Sequence, residues 1–271
     1  MGKQGFTGWY FKLQKEGQTV AFIPGRAGDG AFVQVLDCQG SRHFPLSRLQ
    51  VENGVIRADS CRFSSAGLDI DLPGISGRVS FGPLTPLAAP IMGPFRFLPL
   101  QCSHRVISMS HSLSGSLCLD GRRLDLDGGR GYIEQDSGVS FPRSYLWLQC
   151  NDFAQPCSIM TAIAHIPLAG IGFTGCICAL ICRGREYRLA TYRGVRILAG
   201  GPQRVALRQG PLRLELELTP QDKGHPLLSP QQGRMSGIIH ESSRARLRAR
   251  FWQRGELIFD LSSENASYEW V

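Results

Sequence analysis

The chain has 271 residues, of which 42% are hydrophobic and 19% charged. That balance excludes a disordered chain, which would be poor in apolar residues and rich in charge, and 32 Gly with 16 Pro exclude a coiled coil or a collagen. Thirty basic against 22 acidic residues give a net charge of +8, but no zinc-finger or other nucleic-acid motif accompanies it, so nucleic acid is set aside as a partner.

Alternating apolar and polar residues predict strands along almost the whole chain. In order they are Phe32–Leu36, Gly67–Leu72, Val106–His111, Leu117–Asp120, Tyr145–Gln149, Leu212–Leu218 and Glu256–Leu261. No stretch carries a convincing helical period. Residues 153 to 182 contain no Asp, Glu, Lys or Arg, long enough to cross a bilayer by hydropathy alone. Pro167, Gly170, Gly172 and Gly175 interrupt that stretch, so it is expected to form two buried strands around a turn at Pro167–Gly170. Arg244, Arg246, Arg248 and Arg250 share one face of a strand, opposite Ala245, Leu247 and Ala249. That face is either a solvated edge or a patch for phosphate or anionic lipid.

The nine cysteines form an odd set without a disulfide framework. Cys176, Cys178 and Cys182 have even spacing in a predicted strand and would line one face, so core packing is expected rather than a metal site. Met1–Phe11 lacks the features of a signal peptide. A cytoplasmic location is therefore expected.

The sequence also echoes itself. Trp9-Tyr-Phe-Lys-Leu-Gln14 resembles Tyr145-Leu-Trp-Leu-Gln149, Ile23-Pro24 resembles Ile166-Pro167, and Tyr132-Ile-Glu134 resembles Tyr268-Glu269. Matching Trp9 with Trp147 predicts two similar all-β halves, 1–137 and 138–271. Antiparallel sheets of that size curl into barrels or half-barrels, and a barrel of about eight strands holds one apolar ligand in its mouth. The expected partner is thus an apolar small molecule.

The segment Gly128–Phe153 carries the densest pattern. A glycine turn feeds a short strand ending in Glu134 and Asp136, and after Phe141-Pro142 comes a strand whose Tyr145, Trp147, Gln149 and Asn151 share one face. Aromatics interleaved with amides suit an amphipathic ligand with a polar ring. Glu134 and Asp136, two apart, share a face, and beside an apolar pocket one carboxyl could keep its proton while the other ionises.

Here the chain resembles the tocopherol cyclases and their bacterial homologues. The shared pattern is Gly-Tyr-Ile-Glu-x-Asp-x-Gly-x-x-Phe-Pro followed by x-Trp-x-Gln-x-Asn-x-Phe, with further matches at Gly8–Lys12, Met92-Gly-Pro-Phe95, His104 and Val106–His111. The resemblance runs from about residue 5 to the C-terminus. It implies two tandem lipocalin-like antiparallel β-barrel or half-barrel halves, and ring closure of a prenylated quinol to a chromanol with no cofactor and no metal. Protonating a trisubstituted alkene gives a tertiary carbocation that the phenol oxygen captures. This needs a positioned acid, an aromatic lining and exclusion of water. The resemblance implies Glu134 or Asp136 as the acid, with Trp9, Tyr10 and Trp147 lining the cation site. Gln149, Asn151, His104 or His111 would hold the quinol hydroxyls. Contact with the inner face of a membrane would serve to collect such a substrate.

The chain departs from the family pattern at Gln135 and Ser137, where Lys and Trp are usual. Loss of an aromatic at Ser137, beside the acid, is expected to enlarge the pocket. The residues also admit structural readings. Glu134 and Asp136 could pair with Lys12 or Arg143; Trp9 and Trp147 could be core residues. His104 and His111, seven apart, fall on opposite faces of an unbroken strand and act together only through a bulge. A non-catalytic isoprenoid carrier and an alkene hydratase remain alternatives on the same barrel.

Overall fold

Two-residue corners set the strand spacing. At Glu16-Gly17 both residues have positive φ (49° and 76°), as at Asn53-Gly54 (50° and 75°), the conformation whose twist matches that of antiparallel strands and that glycine adopts without a Cβ clash. The computed structural model describes residues 5–168 and 171–271. Its chain divides into two compact units. The first comprises the chain up to Pro86, His104–Ser140 and Leu228–Gly237; the second comprises Leu87–Ser103, Phe141–Leu227 and Ile238–Val271.

The first twelve strands are β1 (Phe6–Lys15), β2 (Gln18–Ala27), β3 (Gly30–Asp37), β4 (Gly40–Leu46), β5 (Leu49–Glu52), β6 (Val55–Ala58), β7 (Cys61–Ser64), β8 (Gly67–Leu72), β9 (Ile75–Phe81), β10 (Cys102–Leu119), β11 (Arg122–Asp125) and β12 (Arg130–Gly138). They form one antiparallel sheet in the order β4-β3-β2-β1-β12-β10-β9-β8-β7-β6-β5, with β11 on β10. The predicted strands at Val106–His111 and Leu117–Asp120 are parts of the single long β10. The remaining strands are β13 (Tyr145–Cys150), β14 (Cys157–Leu168), β15 (Ile171–Cys182), β16 (Arg185–Ala190), β17 (Arg196–Gly201), β18 (Arg204–Gln209), β19 (Leu212–Pro220), β20 (His225–Gln231), β21 (Arg234–Gln253) and β22 (Glu256–Trp270). Their order is β16-β15-β14-β13-β22-β21-β19-β18-β17, with β20 on β21.

The two orders follow one plan. In each, the first strand pairs with the last (β1 with β12, β13 with β22), and a meander of three strands continues on the far side of the first. The fold is all-β, two tandem lipocalin-like antiparallel half-barrels. The helical segments among the described residues are two short 3-10 turns, Gly93–Phe97 and Thr191–Arg193.

Each unit has its own core. Phe11, Phe22 and Phe63 pack in the first, with ring centroids 5.3 Å (Phe11–Phe63) and 6.3 Å (Phe22–Phe63) apart. In the second, Tyr187 and Phe259 lie 4.7 Å and 5.6 Å from Phe251. The uncharged stretch folds as the β14–β15 hairpin, paired from Cys157↔Cys182 to Leu168↔Ile171; Ala169 and Gly170 of its expected turn lie outside the described residues. Cys176, Cys178 and Cys182 face the second core, as their spacing predicts. Among the described residues no helix is long and apolar enough to cross a membrane.

The arginine stripe also alternates as predicted, with Ala245, Leu247 and Ala249 buried between exposed arginines. Arg246 reaches Glu264 at 2.8 Å, Arg248 reaches Asp260 at 2.7 Å, and Arg250 reaches Glu217 and Glu215 at 2.5 Å and 3.0 Å. With those carboxylates in place the face is a solvated, charge-balanced one.

The strand pairing corrects the sequence match between halves. Trp9 belongs to the core of the first unit, whereas Trp147 lies between the core residues Leu146 and Leu148 and so points to the other side of its sheet. The equivalent of Trp147 is Tyr10. Tyr10 stands opposite Glu134 and Trp147 stands opposite Glu269.

Candidate active site

Register builds the site. β1 and β12 pair without interruption from Phe6↔Gly138 to Gln14↔Arg130, which sets Gly8 opposite Asp136, Tyr10 opposite Glu134 and Lys12 opposite Tyr132. Side chains alternate across a strand, so these six share one side. The other side, carrying Phe11, Leu13 and Ile133, is core. The site side is closed around Lys12, Tyr132 and Glu134, with Glu134 only 5% exposed, and half-open at Gly8 and Asp136.

His104, from β10, joins the carboxylates. Its Nδ1 lies 2.9 Å from Asp136 Oδ1, and its Nε2 lies 3.5 Å from Glu134 Oε2. The Tyr132 hydroxyl donates to the same Glu134 Oε2 at 2.5 Å. Burial first, and then the facing Glu134 carboxylate, push the Tyr132 phenol well above its ordinary pKa. Tyr132 is therefore a fixed donor at physiological pH. One imidazole facing two carboxylates can serve both ionised groups only when both ring nitrogens carry protons. The imidazole thus lies within reach of both carboxylates. The donor atoms of His104, Glu134 and Asp136 also lie within 4.8 Å of one another, a spacing that a divalent cation could bridge in place of a proton.

Gly8 leaves room beside Asp136. A Cβ at this position would meet only the Pro24 carbonyl oxygen, at 4.0 Å, so the rung opposite the carboxylate is open to another group.

Two expected residues fall elsewhere. Trp9 stands opposite Gln135, on the core side of the sheet, and cannot line a cation beside Glu134. His111 packs over Gly131, where a Cβ would come within 2.1 Å of its Nε2, and Gly131 pairs with the core residue Leu13. It sits 4.5 Å from the Phe81 ring and 3.0 Å from Ser108 Oγ through Nδ1. Burial pushes its pKa down to about 4. His111 is a neutral core histidine, on the opposite side of the sheet from His104 as the spacing predicts. Gln135 and Ser137 likewise lie on the Trp9 side of β12. The replaced aromatic at Ser137 therefore does not border the acid, because odd and even positions of a strand face apart.

Trp147, Gln149 and Asn151 belong to the second unit. Trp147 and Gln149 stand opposite Glu269 and Ser267, Gln149 and Asn151 are buried, and the Tyr145 hydroxyl donates to Glu269 Oε2 at 2.6 Å. Tyr132 and Glu269 join the site residues through the structure. Tyr132-x-Glu134-x-Asp136 alternates in the sequence and marks one face, so the signal for Tyr132 was present. Glu269 is marked only by the echo of Tyr132-Ile-Glu134 in Tyr268-Glu269.

The family profile described as "Tocopherol cyclase-like" matches residues 74–270. The chain belongs to the tocopherol cyclase-like family. As a tocopherol cyclase-like protein it is 26% identical over 182 residues to the chain named "Probable tocopherol cyclase, chloroplastic" from Oryza sativa subsp. japonica, a match covering 61% of this chain and 39% of that one. The Zea mays chain "Tocopherol cyclase, chloroplastic" is also 26% identical over 182 residues, covering 61% and 38%. The match thus takes in well under half the length of either plant protein. Among solved structures, that of CghA has a TM-score of 0.64 at 11% identity and covers 99% of this chain and 88% of its own. A structure of CghA with Sch210972 scores 0.61 with the same identity and coverage. Kievitone hydratase from Nectria haematococca scores 0.52 at 10% identity, covering 99% and 89%. At such identities these likenesses show the fold.

Proposed function

We propose that this tocopherol cyclase-like protein is a cofactor-independent isomerase that closes a prenylated quinol, or a related isoprenoid phenol, to a chromanol. The observation that carries this reading is the cluster of buried Tyr132 and Glu134 with half-buried His104 and Asp136 on one side of β12. In this reading Glu134 is the proton donor, and His104, facing both Glu134 and Asp136, is the group that recharges it.

The reaction conserves atoms. Glu134 delivers its proton to the less substituted alkene carbon, leaving a tertiary cation that the Tyr10 ring, opposite on β1, stabilises through its π face. The phenol oxygen attacks that cation and forms the new C–O bond. The phenolic proton returns to the carboxylate cluster through His104. No electron acceptor is consumed. In this reading the quinol ring approaches Asp136 over Gly8, which carries no side chain.

Small-molecule binding agrees with the fold, since a structure of CghA was determined with Sch210972. We place the protein in the cytoplasm, taking its apolar ligand at a membrane surface. Alkene hydration is the second reading, supported by the fold shared with a kievitone hydratase; water would then capture the same cation. Incubation with prenylated quinols in detergent, followed by chromatography and mass spectrometry, tests the proposal. A product of unchanged mass and altered retention is expected. Incorporation of labelled oxygen from water would move the assignment to a hydratase. A ligand that binds and never changes would make the chain a carrier.

A further inference from the structure

We propose that the tip Arg96-Phe97-Leu98 is a membrane anchor, inserting its apolar side chains into an anionic lipid surface. This rests on the reading above that the ligand is apolar, and names where such a ligand is collected. The tip belongs to the second unit, in the segment Leu87–Ser103, six residues before His104 in the chain. Phe97 is 76% exposed and Leu98 38%. Scattered exposed apolar residues are ordinary, but this pair is contiguous and rigidly mounted.

The mount is explicit. Arg188, buried, donates to the Pro90 and Ala89 carbonyls at 3.0 Å each, and the Tyr192 hydroxyl donates to the Ile91 carbonyl at 2.9 Å. The Tyr192 ring lies against Gly93, where a Cβ would come within 2.5 Å of it. Phe95 is clamped edge-on by Phe173 and Tyr192, at 5.9 Å and 5.6 Å. A 3-10 turn then closes with the Leu98 amide on the Phe95 carbonyl at 3.1 Å. Two residues past the clamp, Phe97 has no comparable seat, and the turn presents it to solvent.

The charge of the tip selects the partner. The Arg96 guanidinium lies over the Phe97 ring, 4.6 Å from its centroid, so cation and aromatic are offered together. The segment Leu87–Ser103 contains no Asp or Glu and one cation, Arg96, and the carboxylate at its base, Glu186, is paired with Arg188. An aromatic side chain beside a cation, in a stretch without carboxylates, has the composition of an interfacial anchor for anionic headgroups. A solvated surface loop gains nothing from holding Phe97 this way.

The test is sedimentation of the full chain with phosphatidylcholine vesicles, with and without phosphatidylglycerol. The wild-type chain is expected to partition onto the phosphatidylglycerol vesicles. Phe97→Asp should weaken this by about tenfold or more, and Arg96→Gln by about fivefold at low salt, with unchanged thermal melting. Absence of wild-type partitioning, or equal partitioning by Phe97→Asp, would overturn the anchor. So would a dimer that depends on Phe97, since the tip would then be a contact between two copies. The vesicles contain no quinol and Glu134→Gln should bind them like wild type, so this outcome is independent of whether the chain performs a cyclisation.

Discussion

The two units present the same motif with different chemistry. On each first-to-last strand pair a glutamate faces an aromatic across the ladder, Glu134 with Tyr10 and Glu269 with Trp147. Each glutamate also accepts a tyrosine hydroxyl, from Tyr132 at 2.5 Å and from Tyr145 at 2.6 Å. The surroundings then diverge. Glu134 has His104 and, two residues on, Asp136; Glu269 has Glu241 directly opposite on β21. An imidazole between carboxylates can shuttle a proton, a chemistry that a carboxylate facing a carboxylate does not itself supply. The frame thus occurs twice, and the histidine beside the glutamate occurs in the first unit.

The sharpest way to break this comparison is to remove each carboxylic acid in turn. Glu134→Gln should lower turnover of a prenylated quinol by about 10³-fold, within the range for losing a general acid, while Glu269→Gln changes it less than about threefold. Product chromatography of both variants decides; equal losses would erase the distinction between the units.

The second prediction concerns stability with pH and separates His111 from His104. In the folded chain His111 titrates near about 4, while an unfolded histidine titrates near 6.5. Between those values the unfolded state binds the proton and the folded state does not. Stability is thus fully present above pH 6.5 and is lost as pH falls toward 4, by about 3 kcal/mol for that shift. His111→Gln should flatten this slope in thermal melts recorded across the window. A slope unchanged in that variant would show that another group is responsible.

A smaller effect is expected from the tyrosines. Tyr132→Phe removes a donor to the acid and should reduce kcat by about tenfold, the scale of one hydrogen bond to a charged group. Tyr145→Phe should leave kcat within about twofold, the scale of a substitution away from the chemistry. A pH–rate profile that moves for Tyr132→Phe alone would show that its hydroxyl tunes the acid.

The smallest expected effect is at Ser137. Its side chain shares the Trp9 side of β12, so Ser137→Trp should alter kcat/KM by less than about threefold. A larger gain would mean that the side chain at 137 does reach the substrate, and would restore the aromatic as part of the pocket.

Local pattern made much of this molecule legible in its sequence. Period-two alternation marked the strands, because a half-buried strand must place apolar groups on every second residue. The same rule grouped Glu134 with Asp136, and divided His104 from His111. Side-chain parity follows from the extended backbone, so it holds wherever a strand runs without a bulge. What parity does not reveal is which side faces the core, or which strand becomes the neighbour. Trp9 and Tyr10 look equally suited to a ligand in the sequence, and only the pairing of β1 with β12 put Tyr10 opposite Glu134 and sent Trp9 inward. Residues 104 and 134 meet because β10 and β12 are adjacent in the sheet, a choice made by tertiary packing of apolar surface. Glu269 gained its Tyr145 partner, 124 positions away, in the same way: the sequence supplied the groups, and closure of first strand onto last decided which of them touch.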